Sequence, residues 1–390
     1  MERPGPATRV IHSGEGKSYQ AASLTTPIYE TTTFVFDSAD DVRQYQEGTS
    51  QKFLYSRYGN PTVVATEDVL ASIDGAERAL VFSSGMGAIS TTLLSLLKAG
   101  DEVVCASAIY GGTYHLINGV LPGFNIGTRF VTLEALQAPA EVIGDRTRVV
   151  WFETPTNPTL RCLGIRAVAA ACRARGVISV LDNTFASPIN QQPMALGVDL
   201  AMQSATKYLN GHSDVTAGVI AGSKALLQGI ERTRRMLGTV LDPQPAYALA
   251  RGLRTLTLRI ARHNENAMTV ATFLEGHPRV ARVFYPGLAS HPDRAVAQAQ
   301  MAGFGGMVTF DLPGGLPQAS RVYDRLKVIR RAASLGGVES LASLPVLTSH
   351  WGFSDEALAR AAVTPGLVRL SVGLEDAADL IEDLAQALEG

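Results

Sequence analysis

The sequence predicts an α/β protein in two parts: a large domain built on a mostly parallel sheet, and a smaller α+β domain that follows it. Between residues 61 and 245, short β-rich apolar runs alternate with helix-like segments, which is typical of a parallel sheet covered by helices. Pro243 and Pro245 then interrupt the chain before a long helical stretch, which indicates a domain boundary. The 390 residues, 46% hydrophobic and 18% charged, are enough for two or three compact units of ~100–200 residues.

The elements fall into three consecutive segments. Residues 1–60 carry scattered glycine, serine, threonine and aromatic residues with little helical periodicity, so we expect an extended arm. Residues 61–245 form the predicted large domain, whose strand-like runs are ALVFSS, EVVCAS, TRFVTL, RVVWFE, VISVLD, LAMQSA and AGVIAG. Residues 246–390 form the predicted small domain, with strand-like MVTFDL and VRLSVG and an acidic closing helix.

The charge pattern excludes several classes of partner. Lysine and arginine number 34 against 36 aspartate and glutamate, and no dense run of one sign occurs, which argues against binding to nucleic acid or to a membrane surface. No segment approaches the ~18 consecutive apolar residues of a membrane span, and the start of the sequence lacks the apolar core of a signal peptide. We therefore expect a cytoplasmic protein that acts on a small molecule.

Cysteine and histidine predict neither a disulfide framework nor a metal site. The three cysteines, Cys105, Cys162 and Cys172, have unrelated spacings, and the seven histidines show no metal-ligand spacing. We expect the cysteines to be buried and chemically silent.

A turn of small residues follows the first predicted strand. Ser84, Gly85 and Met86 stand where a helix begins, so backbone N–H groups and the helix dipole can face an anion. Small residues at such turns also serve close packing alone, and the segment lacks the lysine pattern of a nucleotide-binding loop.

Two further strands end in polar residues that complete a recognisable set. Asp182 ends the run VISVLD, and Lys207 follows LAMQSA between hydroxyl-bearing residues. Taken singly, Asp182 can be a turn cap and Lys207 a surface lysine. Parallel strands place ligands at their carboxyl ends, however, and pyridoxal phosphate needs a lysine amine for its aldehyde, a carboxylate for its pyridinium nitrogen and donors for its phosphate.

Seven ordered motifs resemble those of the Cys/Met metabolism, or transsulfuration, family of pyridoxal-phosphate enzymes, the γ-family of fold type I. They are YSRYGNPT (55–62), SGM (84–86), YGGT (110–113), ETPTNP (153–158), DNTF (182–185), SATKY (204–208) and RLSVG (369–373). The resemblance spans essentially the whole chain. It implies an aspartate-aminotransferase-like large domain with a mostly parallel seven-stranded sheet, together with the smaller domain and the arm.

The resemblance also implies how the cofactor is held. Lys207 binds it covalently and later moves protons, Asp182 pairs with the pyridinium nitrogen, and Asn157 lies near the 3′ oxygen. The expected phosphate ligands are Gly85, Met86, Ser204 and Thr206. In this family Tyr55 and Arg57 reach the phosphate of the neighbouring subunit, which implies a catalytic dimer, commonly doubled to a tetramer.

Other residues are expected at the substrate. Tyr110 resembles the ring that stacks on the cofactor and protonates the leaving group, and Arg369 the arginine that binds the α-carboxylate, with Ser334 nearby. Without the family context, we would interpret Arg369 as a surface residue at a strand edge, and Tyr55 and Tyr110 as ordinary residues of the core.

The substrate depends on a few pocket positions. Family members that bind cystathionine tend to carry charged residues where this chain has Leu54, His115 and Ala333, and only His115 can replace one of them. The apolar Leu54 and Ala333 favour the methylthio group of methionine, and hence a methionine γ-lyase reaction. Gly112 counts against this, because bacterial methionine γ-lyases usually have cysteine there.

Alternatives therefore stay open. Cystathionine γ-lyase, cystathionine γ-synthase and O-acetylhomoserine sulfhydrylase activities share the same machinery, and Gly112 is common among them. A catalytically silent protein that keeps the fold is a further alternative, disfavoured by the intact Lys207, Asp182 and Arg369. The sequence does not decide the physiological substrate, the direction of synthesis or breakdown, or dimer against tetramer.

Overall fold

A computed structural model of the protein describes residues 23–389, which contain two separate sheets. The first 22 residues of the predicted arm lie outside the described residues. From residue 23 to residue 60 the chain is mostly extended, and Thr33 pairs with Tyr55 in an isolated bridge. It also forms one short helix, α1 (Ala39–Gln46), which begins because the side chain of Ser38 accepts a hydrogen bond from the Asp41 N–H.

The first sheet has seven strands in the order β1, β7, β6, β5, β4, β2, β3. Only β7 is antiparallel to its neighbours, β1 and β6, while the other pairs run parallel. The prediction of an α/β fold with a mostly parallel seven-stranded sheet is confirmed. The strands are β1 (Arg78–Phe82), β2 (Glu102–Ala106), β3 (Gly127–Val131), β4 (Thr147–Glu153), β5 (Ile178–Asp182), β6 (Leu200–Gln203) and β7 (Gly218–Gly222).

The second sheet has five strands in the order β10, β11, β12, β9, β8. Its short edge pair β10 and β11 is parallel and the other pairs are antiparallel. The strands are β8 (Arg282–Phe284), β9 (Met307–Asp311), β10 (Arg330–Arg331), β11 (Leu341–Ser343) and β12 (Leu367–Ser371).

Helices cover both sheets. Those from residue 61 up to and including the helix that crosses the predicted boundary are α2 (Pro61–Asp74), α3 (Gly85–Leu96), α4 (Gly111–His115), α5 (Leu133–Gln137), α6 (Pro139–Val142), α7 (Ile165–Ala174), α8 (Ser187–Asn190), α9 (Lys224–Leu237) and α10 (Pro243–Leu253). Those after it are α11 (Leu256–Glu275), α12 (Arg294–Gln300), α13 (Gly315–Arg325), α14 (Asp355–Arg360) and α15 (Ala377–Glu389). A π-helical turn (Leu116–Val120) and 3₁₀ turns (Leu121–Phe124, Met194–Leu196, Pro345–Leu347) complete the secondary structure. Between residues 23 and 389, no helix is long and apolar enough to cross a membrane.

The interior of the first sheet explains its sequence pattern. Val149, Val150, Trp151 and Phe152 in β4 are all fully buried, because helices cover both faces of the sheet. Such a strand reads as an unbroken apolar run rather than as an alternation. Each side chain of this size contributes about 1.5–3 kcal/mol by its burial, so the strands that carry the polar residues at their ends are rigidly placed.

The predicted domain boundary falls inside a helix. α10 begins at Pro243, runs across residues 245 and 246, and packs against α2 of the first part. Pro243 lies in the first turn of this helix, where a backbone N–H would have no partner within the helix. A proline, which has no N–H, can therefore start the helix rather than break it. The division of the chain at residue 245 therefore stays a prediction.

Arg259 on α11 joins the two parts. Its buried guanidinium donates hydrogen bonds to the carbonyl oxygens of Tyr208 and Leu209, which follow β6, and to that of Gly252. α11 itself packs against β8 and β9 of the second sheet. The turn that follows β6 is thus tied to a helix that supports the other sheet.

Candidate active site

A cavity of about 490 Å³ opens where the carboxyl ends of β4, β5 and β6 meet the second sheet. Ten of the residues predicted for the site line it: Gly85, Met86, Tyr110, Asn157, Asp182, Ser204, Thr206, Lys207, Ala333 and Arg369. Ser84, which the sequence analysis placed in the anion-facing turn, also lines it, together with residues to which the sequence assigned no role: Ile89, Glu153, Thr184, Phe185, Met202, Thr216, Leu335, Thr348 and Ser349.

The N-terminus of α3 forms one wall. The Ser84 hydroxyl caps this helix by accepting a hydrogen bond from the Gly87 N–H, at 2.9 Å. Gly85 lies so close to Ser204 that a Cβ on it would come 3.1 Å from the Ser204 Oγ. Helix N–H groups, a positive dipole end and a facing hydroxyl provide a suitable place for a phosphate.

Thr206 lines this wall, and its hydroxyl also has partners within the protein. Its hydroxyl donates to the carbonyl oxygen of Ala217 and accepts from the N–H of the same residue, at 3.2 and 2.9 Å. The side chain therefore also fixes the turn before Lys207 against the segment that leads into β7.

Asp182 is a buried carboxylate whose charge is only partly stabilised by the groups next to it. It ends β5 and accepts the Thr184 N–H at 3.0 Å, but burial raises its pKa to about 6 against the lowering effect of Thr184. A cation at this carboxylate would favour its charged form. The protonated pyridinium nitrogen of pyridoxal phosphate is such a cation, so the residue fits that cofactor.

Lys207 follows β6 and extends its amine into the cavity. Its Nζ donates a hydrogen bond to the Ser334 Oγ at 2.8 Å, which places Ser334 beside the lysine although it does not line the cavity. Burial, helped by the positive charge of Arg369, lowers the pKa of this amine to about 8. A larger fraction of the amine is then neutral near physiological pH, as a nucleophile for an aldehyde must be.

Arg369 comes from the second sheet, in the middle of β12. It is 5% exposed, and its guanidinium donates to the Asn157 Oδ1 at 3.0 Å. Burial lowers its pKa to about 10, and the nearby carboxyl of Glu153 opposes that shift. The side chain thus stays cationic at neutral pH and is suited to bind a carboxylate.

Tyr110 lies at the more open side, 44% exposed. Its ring packs so closely on Gly112 that a Cβ there would come 2.5 Å from the tyrosine Cε1 and 2.9 Å from the Met86 Sδ. Glycine at position 112 is therefore what allows the ring to occupy this position.

Six predicted residues do not line the cavity: Ser334, described above, and Leu54, Tyr55, Arg57, Gly112 and His115. The arginine side chain at position 57 donates to the Arg235 carbonyl oxygen, and Tyr55 is 38% exposed near it. His115 packs edge-on against the rings of Tyr114 and Phe353 instead of lining the cavity. Leu54 also lies outside the lining, and Gly112 lies next to Tyr110 and Met86 without lining the cavity itself.

Glu153 is the main residue that the sequence analysis missed. It ends β4 beside Asp182 at the end of β5, in the register of the parallel pair. The run RVVWFE ends in an acid as VISVLD does, so the same strand-end argument could have found it. Among the described residues, no group of three or more histidine, cysteine or acidic side chains could hold a metal ion.

Comparison with known proteins decides the family. Residues 7–389 match the family described as Cys/Met metabolism PLP-dependent enzyme. The chain belongs to this family. Membership confirms the predicted resemblance and the pyridoxal-phosphate cofactor, whose needs the geometry of Lys207 and Asp182 meets.

Individual relatives in the family carry different names. The chain is 41% identical over 392 residues to an L-methionine gamma-lyase of Fusobacterium nucleatum subsp. nucleatum, covering 100% of this chain and 99% of the relative. It is 43% identical over 386 residues to a cystathionine gamma-lyase of Rattus norvegicus, covering 98% and 95%. The crystal structure of metB from Corynebacterium glutamicum superposes with a TM-score of 0.89 at 38% identity, covering 99% of this chain and 98% of that one.

These names agree with the prediction of a pyridoxal-phosphate-dependent enzyme similar to carbon–sulfur lyases. They do not single out one substrate, because lyases with different substrates match this family member about equally well.

Proposed function

We propose that this enzyme eliminates the γ-substituent of a sulfur amino acid, with L-methionine as its substrate and 2-oxobutyrate, ammonia and methanethiol as its products. One observation carries the proposal. The ionisable side chains that line the cavity are Tyr110, Glu153, Asp182, Lys207 and Arg369. All of them lie at the proposed cofactor and α-carboxylate sites or beside them, so residues 23–389 place no further charged partner in the lining for a second amino-acid group.

Cystathionine carries such a second group, with both an amine and a carboxylate, whereas methionine ends in an apolar methyl. A buried charge without a partner is costly, so a pocket without counter-charges favours the shorter substrate. Ala333 and Leu335 in the lining are suited to contact an apolar end.

The proposed roles of the residues follow from their positions. When bound, pyridoxal phosphate withdraws electrons from the α-carbon of the amino acid. Arg369 binds the α-carboxylate and orients the Cα–H bond, while Asn157 holds the guanidinium. The neutral amine of Lys207 removes the α-proton, and Ser334 keeps that amine in place by accepting its hydrogen bond.

Tyr110 is the proposed acid for the leaving thiol. Its exposed ring lies at the cavity wall next to Gly112, where a substrate side chain enters. The overall change balances when one water enters: methionine and water give 2-oxobutyrate, ammonia and methanethiol.

Tyr55 and Arg57 support a further part of the proposal. Both side chains lie outside the cavity of their own chain, and we assign them to the cofactor phosphate of a neighbouring subunit in a dimer, which pairs into a tetramer. The cytoplasmic location likewise stays a prediction.

A second candidate is cleavage or synthesis of cystathionine, or sulfhydrylation of a homoserine ester. Gly112 favours it, because the close packing of this glycine under Tyr110 leaves no room there for the cysteine typical of bacterial methionine γ-lyases.

A product assay separates these candidates. The cofactor-loaded protein is supplied in parallel with L-methionine, L-cystathionine, and O-acetyl-L-homoserine plus sulfide, and the products are identified by mass spectrometry. Methanethiol and 2-oxobutyrate from methionine support the proposal. A strong preference for cystathionine, with release of cysteine, or turnover of the ester alone, contradicts it.

A further inference from the structure

Glu153 is buried at the edge of the cavity, and the reaction outlined above gives it no step. It is the last residue of β4 and is 3% exposed. One carboxyl oxygen accepts the Tyr110 N–H at 2.9 Å, and the other accepts the Asn157 N–H at 2.7 Å. A single carboxyl group thus holds two separate loops that follow strands of the first sheet.

The two loops carry the two ends of the substrate site. The first presents the Tyr110 ring, the proposed acid. The second presents the Asn157 amide, whose oxygen accepts a hydrogen bond from Arg369, the proposed α-carboxylate ligand. A displacement of Glu153 would therefore move both the acid and the carboxylate-binding pair.

The surroundings of Glu153 raise the pKa of its carboxyl group well above the ordinary value. Burial raises the pKa of this carboxyl group and the adjacent Asp182 raises it further, while the two N–H donors and Arg369 lower it. Each of its two oxygens accepts one N–H group, so both loops are held through acceptor atoms of the same side chain.

We propose that Glu153 is a positioning residue that fixes Tyr110 and the Asn157–Arg369 pair relative to each other through its two N–H contacts. The inference rests on the roles proposed above for Tyr110 and Arg369. It adds that the distance between the acid and the carboxylate-binding group is set by one side chain of β4.

The variant Glu153→Gln tests this inference with almost no change in volume. Glutamine offers one carbonyl oxygen and one NH2 group, so it can accept only one of the two N–H groups and turns a donor towards the other. A buried donor facing a donor is unfavourable, so one of the two loops must move.

Two probes report on the carboxylate-binding end without turnover. L-Norvaline carries an α-carboxylate and n-butylamine is the same molecule without it, and the affinity of each for the cofactor-loaded protein is followed by the change in cofactor absorbance. The wild type should bind norvaline more tightly. Glu153→Gln should reduce this preference by about ten-fold and lower kcat for the elimination by about ten-fold.

Asp383 on α15 provides a matched control. It is also 3% exposed, and its carboxylate accepts the N–H groups of Lys327, Val328 and Ile329, away from the cavity. Asp383→Asn should lower the thermal midpoint at least as much as Glu153→Gln while leaving the norvaline preference and kcat unchanged.

The outcomes are distinguishable. If the wild type prefers norvaline and Glu153→Gln keeps both that preference and kcat, or if Asp383→Asn changes them as much, the inference is wrong while the proposed function stands. If the wild type itself shows no preference, the proposed role of Arg369 fails and the inference with it. If Glu153→Gln does not fold, Glu153→Asp makes the same comparison, because the shorter side chain cannot reach both N–H groups.

Discussion

The two sheets contribute to the cavity in different ways. The seven-stranded sheet places Glu153, Asp182 and Lys207 at or just beyond the ends of three adjacent parallel strands. The five-stranded sheet supplies a single charged side chain to the lining, Arg369, and the loops around it add the apolar Ala333 and Leu335 and the hydroxyl-bearing Thr348 and Ser349. The first sheet therefore carries the groups suited to the cofactor, and the second carries the arginine to which we assign the substrate carboxylate.

The two sheets also differ in how firmly their backbone holds the side chains of the cavity. A strand-end side chain is fixed by the hydrogen-bonded ladder beneath it, as Asp182 is by its pairing with β4 and β6. The loop residues Thr348 and Ser349 have no such ladder and follow a 3₁₀ turn. We expect changes in the first sheet to abolish chemistry and changes around the second to alter substrate binding.

The largest expected effect is at the first sheet. Lys207→Ala should remove the absorbance band of covalently bound cofactor and lower kcat by about 10⁴-fold or more, because Lys207 is the one lysine that lines the cavity in the described part of the chain. Absorbance and product formation of the purified variant provide the test. A variant that retains both would overturn the assignment of the site.

The next effect is at the second sheet and should appear mainly in KM. Arg369→Lys replaces a planar two-donor fork with a point charge, so KM should rise by about 100-fold with a smaller loss in kcat. Steady-state kinetics check this split. Arg330→Lys, at an exposed arginine of β10, is the control and should behave as the wild type. A fall in kcat with unchanged KM would contradict the division of roles between the sheets.

The pH dependence of cofactor attachment should report on Lys207. The amine attacks only when neutral, and burial lowers its pKa to about 8. The neutral fraction rises as pH rises through that value, so the attachment rate in cofactor-free protein should increase about ten-fold between about pH 7 and about pH 9 and then level off. Stopped-flow absorbance measures this rate. An increase that continues towards the usual lysine pKa would show that burial does not lower the pKa of Lys207.

The smallest expected effect tests the contact between Tyr110 and the glycine beneath it. Gly112→Ala would bring a Cβ to 2.5 Å from the tyrosine ring, so the ring must shift and kcat should fall about five-fold. Gly119→Ala, where a Cβ would meet nothing within 4 Å, is the matched control and should leave kcat unchanged. Equal effects of the two substitutions would mean that the Tyr110 position does not matter for turnover.

Much of the first sheet could be predicted from the sequence, because its central strands are rich in buried apolar residues and an acid or lysine stands at or just beyond the ends of β4, β5 and β6. Asp182 and Lys207 were found in this way. Glu153 carries the same signal, but its two backbone partners lie on other loops and cannot be seen in the sequence pattern.

The second sheet was harder to predict for a physical reason. Arg369 reaches Asn157 across 212 positions of the chain, and Ser334 reaches Lys207 across 127. Such contacts depend on how two separately formed layers come together, which no local periodicity records. The prediction for Arg369 came from the family motif, and Thr348 and Ser349, which follow no strand pattern, were not predicted.

The hydrogen bonds of Arg259 have a consequence for how the protein loses its structure on heating. Its guanidinium holds the carbonyl oxygens just beyond Lys207, yet its helix rests on the five-stranded sheet. If either layer unfolded alone, this buried cation would lose either its acceptors or the sheet on which its helix packs. Both losses raise the free energy of the partly unfolded state. The two layers should therefore melt in one cooperative transition, and a calorimetric trace of the protein should show a single peak.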